Sequence, residues 1–169
     1  MRKISLISML IAISMCIFII EAQIPLPVPF PGVKAGLSNI IVLVTLILLG
    51  RREAFFVLVI RIILSYFVTG HGMLYSLVGG VFAFFIMAVF IKPLKNYIWV
   101  LSVFGAVSHN TGQIITAVFL MGKAMLSYYP VLIISGIITG TFTGIIAQTV
   151  ISRSNYVKKL FSDLRKEEK

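Results

Sequence analysis

Glu21, Asn39, Arg61 and the group His109, Asn110 and Gln113 are polar side chains set into an otherwise apolar sequence. An arginine fork holds a carboxylate or phosphate through parallel hydrogen bonds, while amides and an imidazole add directional donors and acceptors. That is the chemistry of gripping an anionic small molecule. The sequence has no Walker-type phosphate loop that would hydrolyse a nucleotide. His71 and His109 without further ligands at suitable spacing make no metal site. The single cysteine, Cys16, excludes an internal disulfide and reads as a small packing residue.

These residues need elements to position them, and composition says what kind. Of 169 residues, 59% are hydrophobic and 12% charged, too little polar surface to cover a water-soluble domain. Continuous apolar runs without period-two alternation exclude a barrel and predict helices. The runs lie at about 4–24, 36–50, 54–69, 73–92, 97–121 and 127–151. The fold class expected is therefore an all-α integral membrane protein, a compact bundle of about six transmembrane helices. Residues 1–151 form the membrane domain and 152–169 a basic cytoplasmic tail, whose Tyr156, Leu160, Phe161 and Leu164 suit an interfacial helix. The second and third runs are short for a bilayer.

The net charge of +10 reports topology rather than nucleic-acid binding. With the N-terminus inside, Arg2, Lys3, Arg51, Arg52, Lys92, Lys95, Arg153 and the tail's basic residues fall on the cytoplasmic side. Lys34 and Lys123 fall outside and Arg61 within a span, so the positive-inside rule is obeyed at each loop. Both termini are expected in the cytoplasm of a bacterial inner-membrane protein. A signal peptide ending near Ala22 is the competing reading, against which the length of the run argues.

Within this frame Arg61 sits about eight residues into the third span, roughly 12 Å deep by helical rise. Such an arginine faces a partner or a cavity; a salt bridge with Glu21 and direct binding of an anionic ligand are both open. Ser102, Ala106, His109, Gln113 and Thr116 share one face of the fifth span, with Asn110 beside them. They are read either as a ligand-facing surface or as interhelical hydrogen-bonding groups. The alternating prolines from Pro25 to Pro31, followed by Gly32, Lys34 and Asn39, make a stiff outer segment leading into a helix N-terminus. Amides there, with Lys34, attract anions; a plain connector with an interfacial lysine is the alternative. Gly136, Gly140 and Gly144 form a small face for helix packing, and Ser8 with Ala12 a second that could meet another protein.

The stretches EAQIPLPVPFPGVKAGLSN (21–39) and GAVSHNTGQ (105–113), with Arg61, Thr69-Gly70, Ser76 to Gly80, Tyr129-Pro130 and Ser135 to Gly140, resemble a membrane family. It is known as the Gx transporter family or heptaprenyl diphosphate synthase component I. That family in turn is similar to the substrate-binding S components of energy-coupling factor transporters. The resemblance implies a six-helix bundle binding a small-molecule solute, with a coupling membrane protein and an ATPase pair as partners. Ser8 and Ala12 stand where S components carry a docking pattern. Lys34, Asn39, Arg61, His109, Asn110 and Gln113 are then the substrate-binding candidates, with Glu21, Pro31 and Gly32 as structural or gating residues. Cationic groups with surrounding Phe and Tyr favour an anionic vitamin-, flavin- or quinone-precursor-like solute.

The family's other name implies a role in making the prenyl tail of menaquinone. A prenyl synthase needs clustered carboxylates to hold magnesium and diphosphate, whereas this sequence has one aspartate, Asp163. The chain is thus expected to be no enzyme and to use no cofactor. A non-catalytic membrane subunit beside a soluble prenyl synthase is the alternative function. A scaffold for a respiratory assembly, with the polar cluster only locking helices, is a third.

Overall fold

A computed structural model of the chain describes residues 2–23, 36–70 and 72–153. Among them the regular elements are all helical. They are α1 (Arg2–Ala22), α2 (Asn39–Leu48), α3 (Arg51–Thr69), α4 (Met73–Phe90), α5 (Ile98–Met121) and α6 (Tyr129–Arg153), with a 3-10 helix at Lys123–Tyr128 before α6. Most of the expected tail, residues 154–169, lies outside the described residues.

Helix α5 is the spine, with α4 on one side and α6 on the other. Small residues set both crossings. A Cβ added to Gly112 would stand 2.7 Å from Gly79 Cα, and one on Gly140 would stand 2.7 Å from Val103 Cα. Both lie inside van der Waals contact with backbone that has no freedom to move aside. Close approach of this kind supplies the dispersion contacts that hold apolar helices together where no hydrophobic driving force exists.

Helix α2 is the hub. It touches α1, α3, α4, α5 and α6, and its Val42, Leu43 and Leu46 join Leu58 and Ile62 of α3, Met87 of α4 and Leu101 of α5 in the main core. Its ten residues are about 15 Å long by helical rise, half the roughly 30 Å of bilayer hydrocarbon. The run 36–50 therefore yields a buried half-length helix that cannot cross a bilayer by itself. Its first residues instead form a turn in which Asn39 N–H donates to Gly36 O. At its other end Gly50 takes φ +111°, a conformation that L side chains resist, and so reverses the chain into α3 within two residues.

The outer surface is apolar. Ile4, Phe67, Phe85, Phe119, Ile138 and Phe142 are all more than 60% exposed, a surface that water would not tolerate and hydrocarbon would. Three helical stretches among the described residues are long and apolar enough to cross a membrane: Lys3–Ala22, Met73–Phe90 and Lys123–Arg153. Helix α3 with nineteen residues and α5 with twenty-four have the length. Their mean hydropathy is diluted by Arg51, Arg52, Glu53 and Arg61 in one and by His109, Asn110 and Gln113 in the other.

Gly112→Ala and Gly140→Ala should each lower stability by about 1–3 kcal/mol through overpacking, read as an earlier thermal transition of the detergent-solubilised protein. Ile138→Ala, on the exposed face, should leave the transition within about 0.5 kcal/mol of wild type.

Candidate functional site

The C-terminal end of α1, the turn before α2, and the middles of α3 and α5 meet at one point. Glu21, on the last turn of α1, is 2% exposed. Its carboxylate accepts hydrogen bonds from three consecutive backbone amides: Gly36 N–H, Leu37 N–H at 3.1 Å and Ser38 N–H at 3.2 Å. A buried carboxylate costs several kcal/mol unless satisfied, and three amides aimed at it supply that satisfaction. The same contact gives the amides preceding α2 their partner.

Arg61 is 3% exposed at mid-length of α3. Its guanidinium donates to Ser38 Oγ at 2.5 Å and to Asn39 Oδ1 at 3.0 Å. The direct salt bridge considered from the sequence is therefore replaced by an indirect one. Residues 36–39 lie between the two charges, taking the carboxylate on their amides and the guanidinium on the Ser38 and Asn39 side chains. Glu21, Arg61, Ser38, Gly36 and His109, with Phe18, Ile62, Ser65 and Ser76, line one small space of about 10 Å³. That is room for about one water molecule.

His109 closes this space from α5. Gln113 Nε2 and His109 Nε2 share a hydrogen bond of 2.8 Å, which fixes the ring. The imidazole is wedged between two glycines: an added Cβ would lie 3.2 Å from its Cδ2 at Gly36 and 2.9 Å from its Nδ1 at Gly79. Gly36 has φ +88° as well, so both its backbone conformation and its neighbour require glycine.

Asn110, adjacent in sequence, points elsewhere. Successive helical residues diverge by about 100°, and Asn110 Nδ2 donates to Leu132 O of α6 at 2.6 Å while its Oδ1 is buried without a protein partner. It locks α5 to α6, as does the Ser102 to Thr143 hydrogen bond of 3.0 Å. Thus Glu21, Asn39, Arg61, His109 and Gln113 are brought together, and Asn110 is not. Lys34, Pro31 and Gly32 lie outside the described residues. Ser38, Ser65 and Ser76 join the centre without having been singled out as site residues. A lone serine in an apolar run gives no signal of this, although Ser38 adjoins Asn39. Ser8 and Ala12 are both exposed on the outer face of α1.

A family model described as heptaprenyl diphosphate synthase component I matches residues 10–150, from the middle of α1 to the last turn of α6. The chain belongs to that family. Comparison with curated proteins and with solved structures gives no match. The match spans every contributor to the polar centre. The family name denotes a component of a synthase. Among the described residues no group of three His, Cys, Asp or Glu side chains could hold a metal ion.

Glu21→Gln and Arg61→Gln should each destabilise by about 3–5 kcal/mol, since each strands a buried charge. The double variant removes both charges and should cost clearly less than the sum, by more than about 1 kcal/mol in a double-mutant cycle. Additive losses in thermal or denaturant unfolding would separate the two residues energetically.

Proposed function

We propose that this protein is a multi-pass membrane subunit that binds the anionic group of a small solute at Arg61 and works as the solute-binding part of a transporter. Six membrane passages, the second of them completed by residues beyond the ten of α2, would place both termini in the cytoplasm, in keeping with the distribution of Lys and Arg. The observation that carries the reading is the state of Arg61: its guanidinium is fully enclosed, yet it is hydrogen-bonded to two neutral oxygens. A carboxylate or phosphate reaching it would replace those neutral acceptors with an ionised one, giving stronger bonds charged on both sides.

The space present holds about one water, whereas a vitamin-sized molecule needs some 300 Å³ or more. Binding therefore requires α1 and the turn before α2 to move away from α3 and α5. Helix α1 is the element suited to this. It packs on α2 and α3, and an exposed stripe of Ser5, Ser8, Ala12 and Cys16 runs along its other face. Close packing of a coupling membrane protein on that stripe would let an ATPase pair drive the movement.

A second reading is favoured by the family to which the chain belongs. In it the protein is a non-catalytic membrane subunit that holds a soluble heptaprenyl diphosphate synthase partner at the bilayer. The two readings require different partners. Affinity purification of the tagged protein from native membranes in mild detergent, followed by mass spectrometry, should recover a coupling membrane protein with paired ATPases. Recovery of a prenyl synthase without them would replace the transporter reading with the second. Recovery of respiratory subunits alone would make the protein a scaffold.

A further inference from the structure

Among the described residues, the small space beside Arg61 is lined by one acid and one strong base, Glu21 and Arg61, with Ser38, Ser65, Ser76 and His109 around them. Both charged side chains are buried, and their formal charges sum to zero. A simple anion entering here leaves one negative charge over, and an uncompensated charge in an apolar interior is costly. A head group that carries a cation beside its anion adds no net charge.

The two charges also stand on different walls. The Glu21 carboxylate is tied to the amides of Gly36, Leu37 and Ser38, so it travels with α1 and the turn before α2. Arg61 stays on α3, with His109 of α5 lining the same space. When the walls part, the guanidinium gives up Ser38 and Asn39 and takes a carboxylate in their place. The Glu21 wall then meets the ligand from the other side. Glu21 Oε1 accepts two amides, those of Gly36 and Leu37, whereas Oε2 accepts one, that of Ser38. A carboxylate has about four lone-pair sites, so with respect to the described residues Oε2 keeps one position for a donor on the ligand. An ammonium is the donor that an ionised oxygen binds most strongly.

We infer that the solute recognised at this centre is zwitterionic, with an ammonium and a carboxylate on one carbon as in an amino acid. Its carboxylate lies on Arg61 and its ammonium on Glu21 Oε2. The space that these two side chains line has room for about one water, which keeps the ligand's opposite charges close together. The inference rests on the reading that Arg61 binds an anionic group, and it narrows that reading to anions that bring their own cation.

The test uses the full chain in nanodiscs of phosphatidylcholine, with empty nanodiscs as the blank, and three matched pairs of probes. They are tryptophan with indolepropionate, phenylalanine with phenylpropionate, and valine with isovalerate. Within each pair the body is the same and only the ammonium is removed. At least one amino acid should bind saturably and at least about tenfold tighter than its partner acid, the factor expected of one hydrogen bond between charged groups. The Glu21→Gln/Arg61→Gln variant, in which removing both charges is less disruptive than removing one, should lose that binding. The wild-type ratio decides by itself if the variant cannot be purified folded. Equal or tighter binding of the partner acids would overturn the inference; if the double variant abolishes it, anion binding at Arg61 still stands. Amino-acid binding that persists unchanged in the folded double variant would overturn the assignment to this centre. No saturable binding by any probe would overturn the inference together with the reading of Arg61 on which it rests.

Discussion

The contact on which the rest of the structure depends is that of the Glu21 carboxylate with the amides of Gly36, Leu37 and Ser38. A carboxylate cannot be left alone among apolar helices, and neither can the amides that precede a buried helix. Each solves the other's problem. The contact fixes the end of α1 against the start of α2, and α2 is the element that meets every other helix. Arg61 then bonds the same turn from α3, so three helices converge on four residues. The charges balance across that turn without touching through it, which leaves the guanidinium on oxygens that an anion could displace.

Packing and polarity are divided between the helices in a way that suits this arrangement. Helices α4, α5 and α6 are joined by glycine faces and by fully satisfied or nearly satisfied polar locks at Ser102, Asn110 and Thr143. A well-packed crossing of this kind is bistable at most and does not deform gradually. The α1 side lacks such glycine crossings and carries the hydrogen bonds of the polar centre instead. Any opening toward Arg61 is therefore expected on the α1 side. The spine of α5 keeps His109 and Gln113 in place while it happens.

Much of this was legible in the residues. The long runs gave α3 to α6 with small errors of boundary, because sustained apolar sequence is a strong signal. The three- and four-residue spacing from Ser102 to Thr116 identified a face that is wholly buried. Arg61 announced itself by its cost in an apolar span. What stayed hidden depends on groups that carry no signature. Backbone amides are present at every residue, so nothing in the sequence marked Gly36 to Ser38 as the partners of Glu21. Asn110 was grouped with His109 by adjacency, although neighbouring helical residues face different helices. The ten-residue length of α2 was obscured because its apolar run continues into the turns at both ends.

The most direct test of the central contact is hydrogen–deuterium exchange at the amides of residues 36–38, measured in nanodiscs for the wild-type protein and for Glu21→Gln. If those amides are bonded to a buried carboxylate, they exchange slowly in the wild type and at least about tenfold faster in the variant, the equivalent of about 1.4 kcal/mol of lost protection. The amides of α5 should keep their protection in both proteins. Rapid exchange at residues 36–38 in the wild type, or equal rates in the two proteins, would contradict the account that this carboxylate organises the bundle.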